Sequence, residues 1–241
     1  MRTSLTIYLV FLLLVATYSS GQQMVDVGKE DMSPVKNGFF YTVSGVPFSL
    51  YKYAKVISGS PYFKEDWMRG VAVLTNGGRA KCDQIKLDLF TGEVHYKDST
   101  GPELIATNPI ARLTLTDMIT GIAYVFTHNP VSSGRHKGGN SWYQVLETGT
   151  ATLYKRIKKT LTEATPFNSA TAEQTINTAS FYFIEISNDI IAVKKLKDIP
   201  AVLSDKKNEL EEFITTKKLN GKADSDYVNV VARFNYLAVS N

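Results

Sequence analysis

Ile85-Lys86-Leu87-Asp88-Leu89-Phe90-Thr91-Gly92-Glu93-Val94-His95-Tyr96-Lys97 is the stretch that decides the fold. From 85 to 89 apolar side chains alternate with charged ones, the period of a strand with one buried face. From 93 to 97 the period repeats, with Val94 and Tyr96 on one face and Glu93, His95 and Lys97 on the other. Thr91-Gly92 stands at the joint, where a tight reversal needs a residue that tolerates positive φ. Two short amphipathic strands joined this way predict an antiparallel hairpin, and a hairpin needs further strands to be stable.

The same pattern extends in both directions. Towards the N-terminus, 71–74 and 79–83 flank Asn76-Gly77-Gly78, another turn signal. Towards the C-terminus, Ala111-Arg112-Leu113-Thr114-Leu115 alternates again. Ile122-Ala123-Tyr124-Val125-Phe126 is apolar throughout, as in a strand covered on both faces. Residues 129–140, with four glycine or proline positions before 140, predict an exposed hairpin loop ahead of a strand at 142–146. The Thr- and Ala-rich run 162–180 is the one candidate boundary, or a short helix and loop within one domain. Beyond it, 181–186 and 190–193 around Ser187-Asn188-Asp189 form a second hairpin signal.

After Asp198 the period becomes helical. Ile199, Val202, Leu203, Leu210, Phe213 and Ile214 supply one apolar stripe, with Asp198 as expected N-cap and Pro200 in the first turn. Asn220-Gly221 ends it. Ser225 is the expected cap of a last helix carrying Tyr227, Val230, Val231, Phe234 and Leu237. These signals predict an α+β, mainly β protein. An antiparallel meander forms a sandwich or partial barrel, and a C-terminal β-hairpin and two amphipathic helices pack on it.

Composition narrows the function. Of 241 residues, 44% are hydrophobic and 21% charged, which is ordinary for a globular chain and excludes collagen, coiled coil and wholesale disorder. A single cysteine, Cys82, excludes an intrachain disulfide and a thiolate-rich zinc site, and it is expected to serve as a small buried hydrophobe. The net charge of +4 is too small to argue for nucleic acid. Residues 1–21 combine Arg2, an apolar stretch from Leu5 to Ala16 and a small-residue end at Ser19-Ser20-Gly21, the layout of a secretory signal peptide. That stretch of about 12 residues falls short of the ~20 that span a bilayer as a helix. The expected organisation is a signal peptide over 1–21 and a single β-rich domain over 22–241, helical at about 198–238, with no integral membrane segment after signal removal.

Signatures of the common chemistries are absent: no G-x-G-x-x-G after a strand, no phosphate-binding loop, no H-E-x-x-H and no G-x-S-x-G. His95, His128 and His136 share no helical ligand spacing, so a metal site would have to be assembled from separate strands with carboxylates. Glu65, Asp66, Asp83, Asp88, Glu93 and Glu103 are the carboxylates available for paired acid chemistry, yet several alternate outward along strands, where charge serves solubility. No catalytic residue, metal ligand or cofactor is assigned on this basis. Two segments stand out for partner binding. Tyr62, Phe63 and Trp67 form the densest aromatic cluster, able to stack on sugars or anchor an interface. Arg135, His136 and Lys137 sit among glycines and serines that can present cations and backbone N–H groups to an anion.

Several blocks carry a resemblance. They are the leader, the Gly-Ser-Pro-Tyr-Phe run at 59–63 with Asp66-Trp67-Met68-Arg69-Gly70, and the meander from 70 to 115 closing in Ala-Arg-Leu-Thr-Leu. The rest are 181–186, Lys194-Lys195-Leu196-Lys197-Asp198 and Val231-Ala232-Arg233-Phe234-Asn235-Tyr236-Leu237. Together they resemble a group of uncharacterised exported proteins of the Bacteroidota. The resemblance implies a Gram-negative envelope setting, whether periplasmic, outer-membrane-associated or secreted, and carries over no activity, cofactor or site residue. The expected function is non-enzymatic binding of an envelope protein or glycan, with a periplasmic hydrolase acting on an envelope polymer as the alternative.

Overall fold

The computed structural model describes residues 43–97, 101–128, 130, 141–165, 167–168 and 172–239. The expected signal peptide and Arg135, His136 and Lys137 lie outside these residues. Among the described residues, alternating patterning produces twelve strands: β1 (Gly45–Pro47), β2 (Val56–Ser58), β3 (Met68–Leu74), β4 (Arg79–Leu87), β5 (Val94–Tyr96), β6 (Leu104–Ala106), β7 (Ile110–Thr116), β8 (Ala123–His128), β9 (Trp142–Glu147), β10 (Ala151–Ala164), β11 (Glu173–Ile186) and β12 (Asp189–Val193). Three helices follow: α1 (Ile199–Val202), α2 (Lys207–Thr216) and α3 (Asp224–Val239). The fold is α+β and mainly β, as the periodicity predicts.

The strands form one open sheet in the order β1-β6-β5-β4-β3-β7-β8-β9-β10-β11-β12, antiparallel except where β2 pairs in parallel with β11. The order departs from a simple meander where β1 joins β6, where β2 joins β11 and where β3 lies between β4 and β7, and the last of these shapes the first half of the sheet. This departure forces the sheet to curl. In a flat sheet the four spacings between β6 and β7 would separate them by about 19 Å, whereas the chain from Ala106 to Ile110 reaches at most ~14 Å. The 104–116 segment therefore bends at Asn108-Pro109 and follows both rims of a partial barrel. Thr107 N–H donates to Ser44 O on one rim, and Thr75 N–H donates to Pro109 O on the other. Asn108 Oδ1 accepts Ser44 N–H at 2.6 Å and holds the bend.

Inside the curl lies the first core: Met68, Leu74, Ile85, Leu87, Val94, Tyr96, Leu113, Leu115 and Phe126 with their neighbours, Cys82 among them. Packing there is close enough that a Cβ on Gly70 would sit 2.6 Å from Ile85 Cγ2, so β3 requires glycine at this point. The second core is formed by β10–β12 and the helices, with Leu153, Ile184, Leu203, Leu210, Val230, Val231 and Phe234 buried. The helices thus cover one face of the sheet, as their apolar stripes imply. No helix among the described residues is long and apolar enough to cross a membrane.

Three local expectations are corrected. Within the 162–180 run, residues 162–164 and 173–180 are strand rather than helix or loop: they lie in β10 and β11, which pair over fourteen residues each. Cross-strand pairing here overrides the weak local signal of threonine and alanine, as context does for strand propensity. The stripe from 198 is broken into 3-10 turns and short helices rather than one helix. Asp198 accepts Lys195 N–H at 3.0 Å and so closes the turn before α1. The last helix begins at Asp224, ahead of Ser225, while Asp226 turns back to accept Gly221 N–H at 2.8 Å. The 181–193 hairpin forms as expected, with Ser187 and Asn188 both at positive φ, the turn that matches strand twist.

Candidate functional site

The polar face of the 85–97 hairpin is largely covered, with Asp88 and His95 buried and Lys86, Glu93 and Lys97 partly exposed. Strand register places Lys86 opposite His95, and the Asp88–Glu93 turn projects from the same end. Asp88 Oδ1 accepts the N–H groups of Phe90 (2.8 Å) and Thr91 (3.0 Å), which fixes the turn, and Gly92 takes the positive φ that closes it. Trp142 Nε1 donates to Gly92 O at 2.9 Å and ties the turn to β9. Asp88 and His95 have no exposed surface.

Two preceding segments roof this face. The 60–63 strip bridges to Asp88, with Phe63 N–H donating to Leu87 O and Leu89 N–H to Pro61 O, and this lays Tyr62 edge-on to the His95 ring at 5.5 Å. Phe48, held by its N–H to Glu103 O, stands 4.8 Å from the same ring. Tyr53, from the turn Leu50–Tyr53, donates its hydroxyl to Asp88 Oδ2. Burial, reinforced by that bond to a carboxylate, pushes the Tyr53 phenol well above its ordinary pKa. Burial also raises Tyr62, with Glu103 and Asp88 acting in the same direction.

Beneath the roof, acidic groups converge on one imidazole. His95 Nδ1 lies 2.7 Å from Glu103 Oε1. Since a carboxylate only accepts, Nδ1 carries the proton. His95 Nε2 lies 3.6 Å from Glu93 Oε2 and 3.9 Å from Asp88 Oδ2, and it has no hydrogen-bond partner. Glu93 Oε2 accepts from Lys52 Nζ and, at 2.8 Å, from Thr91 Oγ1. Burial pushes the Glu93 carboxyl up, but Lys52 and Thr91 together outweigh it and hold Glu93 below the usual range. The Glu93 side chain is 32% exposed and marks the open rim.

The expected aromatic cluster is therefore divided. Tyr62 roofs His95. Phe63 turns into the first core, against Tyr124 and Phe126. Trp67 stays half-buried at the rim, with Lys97 Nζ 4.6 Å and Lys86 Nζ 4.8 Å from its ring centroid. His128 packs on Trp142 and takes no part in the His95 centre. Sequence reasoning missed the convergence of Asp88, Glu93, His95 and Glu103. The legible part of the signal is a carboxylate on each side of the Thr91-Gly92 turn followed by a same-face histidine; Tyr53 and Glu103 arrive by tertiary contact alone. Comparison with models of known protein families, with curated proteins and with solved structures finds no match.

Proposed function

We propose that this is an exported, non-enzymatic protein of the cell envelope or extracellular space that binds an acidic glycan on the aromatic roof of the β4–β5 face. The observation that carries this reading is the half-buried Trp67 ring with two ammonium groups beside it, next to the Tyr62 ring that Lys86 also faces at 4.9 Å. Flat rings stack on sugar faces, and adjacent lysines pair with carboxylates or sulfates of the same polymer. A hydrolase needs an open cleft at its carboxylates, and the burial of Asp88 and His95 favours binding over that alternative.

Calorimetric titration of the purified protein with polygalacturonate, with dextran as neutral control, tests the reading. Saturable binding to the acidic polymer is expected, weakening with salt. Trp67→Ala and the double variant Lys86→Ala/Lys97→Ala should each weaken it at least about tenfold, a loss of ~1.4 kcal/mol. Absence of binding, together with an envelope protein recovered near-stoichiometrically by cross-linking, would replace the glycan by a protein partner. Shortening of the polymer during incubation would establish a hydrolase instead.

A further inference from the structure

We propose that Asp88, Glu93 and His95 bind one divalent transition-metal ion of the zinc type, independently of any glycan at the surface above. One donor atom from each of the three residues lies within 4.8 Å of the other two, and His95 Nε2 faces Asp88 Oδ2 and Glu93 Oε2. A cluster of acids is common on protein surfaces; the imidazole is what distinguishes this one. His95 is completely buried, and its Nε2 has no hydrogen-bond partner although two carboxylate oxygens face it.

The distances separate two explanations. A charged imidazole donating to these carboxylates would sit about 2.7–3.2 Å from an oxygen. The observed separations are 3.6 and 3.9 Å. Two ligands of a tetrahedral ion, each ~2.0–2.1 Å from it, stand roughly 3.4 Å apart. The two histidine–carboxylate separations are thus near the edge of a coordination tetrahedron, and the Asp88 and Glu93 donors, within 4.8 Å of each other, would draw together around the ion.

The second layer of contacts agrees. Glu103 on Nδ1 sets the tautomer, leaving the Nε2 lone pair directed into the space between the carboxylates, the arrangement by which a carboxylate orients a metal-binding histidine. Asp88 is held by two backbone N–H groups and the Tyr53 hydroxyl, so its free geometry is restricted. The charges of Asp88 and Glu93 offset a divalent ion, and Lys52, 30% exposed, can leave Glu93 for solvent. One imidazole with two carboxylates and no thiolate suits zinc, manganese or ferrous iron, whereas calcium and magnesium prefer oxygen alone. Three protein ligands leave a fourth position for water. Under the Phe48 and Tyr62 rings the ion would clamp the 88–93 turn to β5.

The test is titration of the chelator-stripped, purified protein with zinc chloride, followed by calorimetry and thermal unfolding. Saturable one-to-one binding and a rise in the unfolding midpoint are expected, since a ligand that binds only the folded state stabilises it. Cobalt(II) in place of zinc should give the intense visible absorption of a four-coordinate site. His95→Asn should abolish binding. Glu93→Gln, at the open rim and tolerable to the fold, should weaken it at least about tenfold, and Glu103→Gln, a positioning residue, by ~10–100-fold with the metal-free midpoint unchanged. His128→Ala and His136→Ala should bind as the parent does. Absence of saturable binding would overturn the proposal; so would binding that survives Glu93→Gln and Glu103→Gln unchanged or is lost in either of the other histidine variants.

Discussion

The two cores of this protein solve the same problem by different means. The second core closes β10–β12 with helices whose apolar stripe supplies Leu203, Leu210, Ile214, Val230 and Phe234. The first closes by curling its own sheet, and the outer face of that curl buries an aspartate and a histidine at zero exposure under aromatic rings. Sheets covered by helices need only apolar surface. A short strip laid over a polar face must instead satisfy every charge it covers. Four side chains, Tyr53, Lys52, Thr91 and Glu103, do most of this here, and His95 Nε2 alone of the site's buried atoms is left without a hydrogen-bond partner. The region with the buried charges is therefore the one in which chemistry can reside.

The seam between the regions also has a defined device. β9 and β10 pair irregularly at Leu153/Tyr154, and the β9-facing backbone of Ala151 is met by a side chain of α3. Asn235 Oδ1 accepts Ala151 N–H at 2.8 Å, and Asn235 Nδ2 donates to Ala151 O at 3.0 Å, so one amide acts as a short strand. A Cβ on Gly149 would meet Asn235 at 2.5 Å, so this approach also depends on glycine. Beside it, Lys155 pairs with Asp224 at 2.7 Å while Tyr182 stacks on Tyr227 at 3.8 Å.

Truncation of the second core gives the largest expected effect. Leu210→Ala should destabilise by about 2–5 kcal/mol in urea unfolding, because the helices cannot fully collapse onto the cavity. Amide exchange should accelerate in β11, β12 and the helices ahead of β3 and β4; equal acceleration in both would show that the two cores open as one unit and break the contrast. At the seam, Asn235→Ala leaves a buried N–H and C=O unsatisfied and should cost about 2–3 kcal/mol. A cost below ~0.5 kcal/mol would mean that water replaces the amide there.

The smallest effect sharpens the electrostatic side of the comparison. In the first region Lys64 donates to Asp117, and this bond, with the N–H groups of Thr120 and Ile119, holds the Asp117 carboxyl well below its ordinary range. A carboxyl depressed in the folded state contributes stability above its unfolded pKa and loses it as pH falls through the folded value. The stability difference between parent and Asp117→Asn should therefore be greatest near neutrality and shrink in acid. Urea midpoints measured from pH 7 downward check this, and a difference that grows in acid would contradict the assignment.

Much of the second region was legible. The hairpin at 181–193 and the apolar positions of α2 and α3 follow from period and turn chemistry, because local residues decide them. Helix starts were less so: Asp198 and Ser225 both carry cap-forming side chains, but tertiary docking sets where each helix begins. In the first region the strands and the Thr91-Gly92 turn were legible, and the fate of the polar face was not. Alternation shows that Asp88 and His95 point away from the apolar core; it carries no information on what is laid over them.

The sequence by itself determined the strand periods, the tight turns, the two apolar helix faces and the unusual placement of carboxylates on both sides of one turn. The tertiary structure alone decided that the sheet curls, that 162–164 and 173–180 pair within a long hairpin, that Phe48 and Tyr62 cover His95 and that Tyr53 reaches Asp88. The physical reason is range. Periodicity and turn chemistry act between residues a few positions apart, whereas the curl follows from strand order, and the contacts of His95 join segments that only strand pairing brings together.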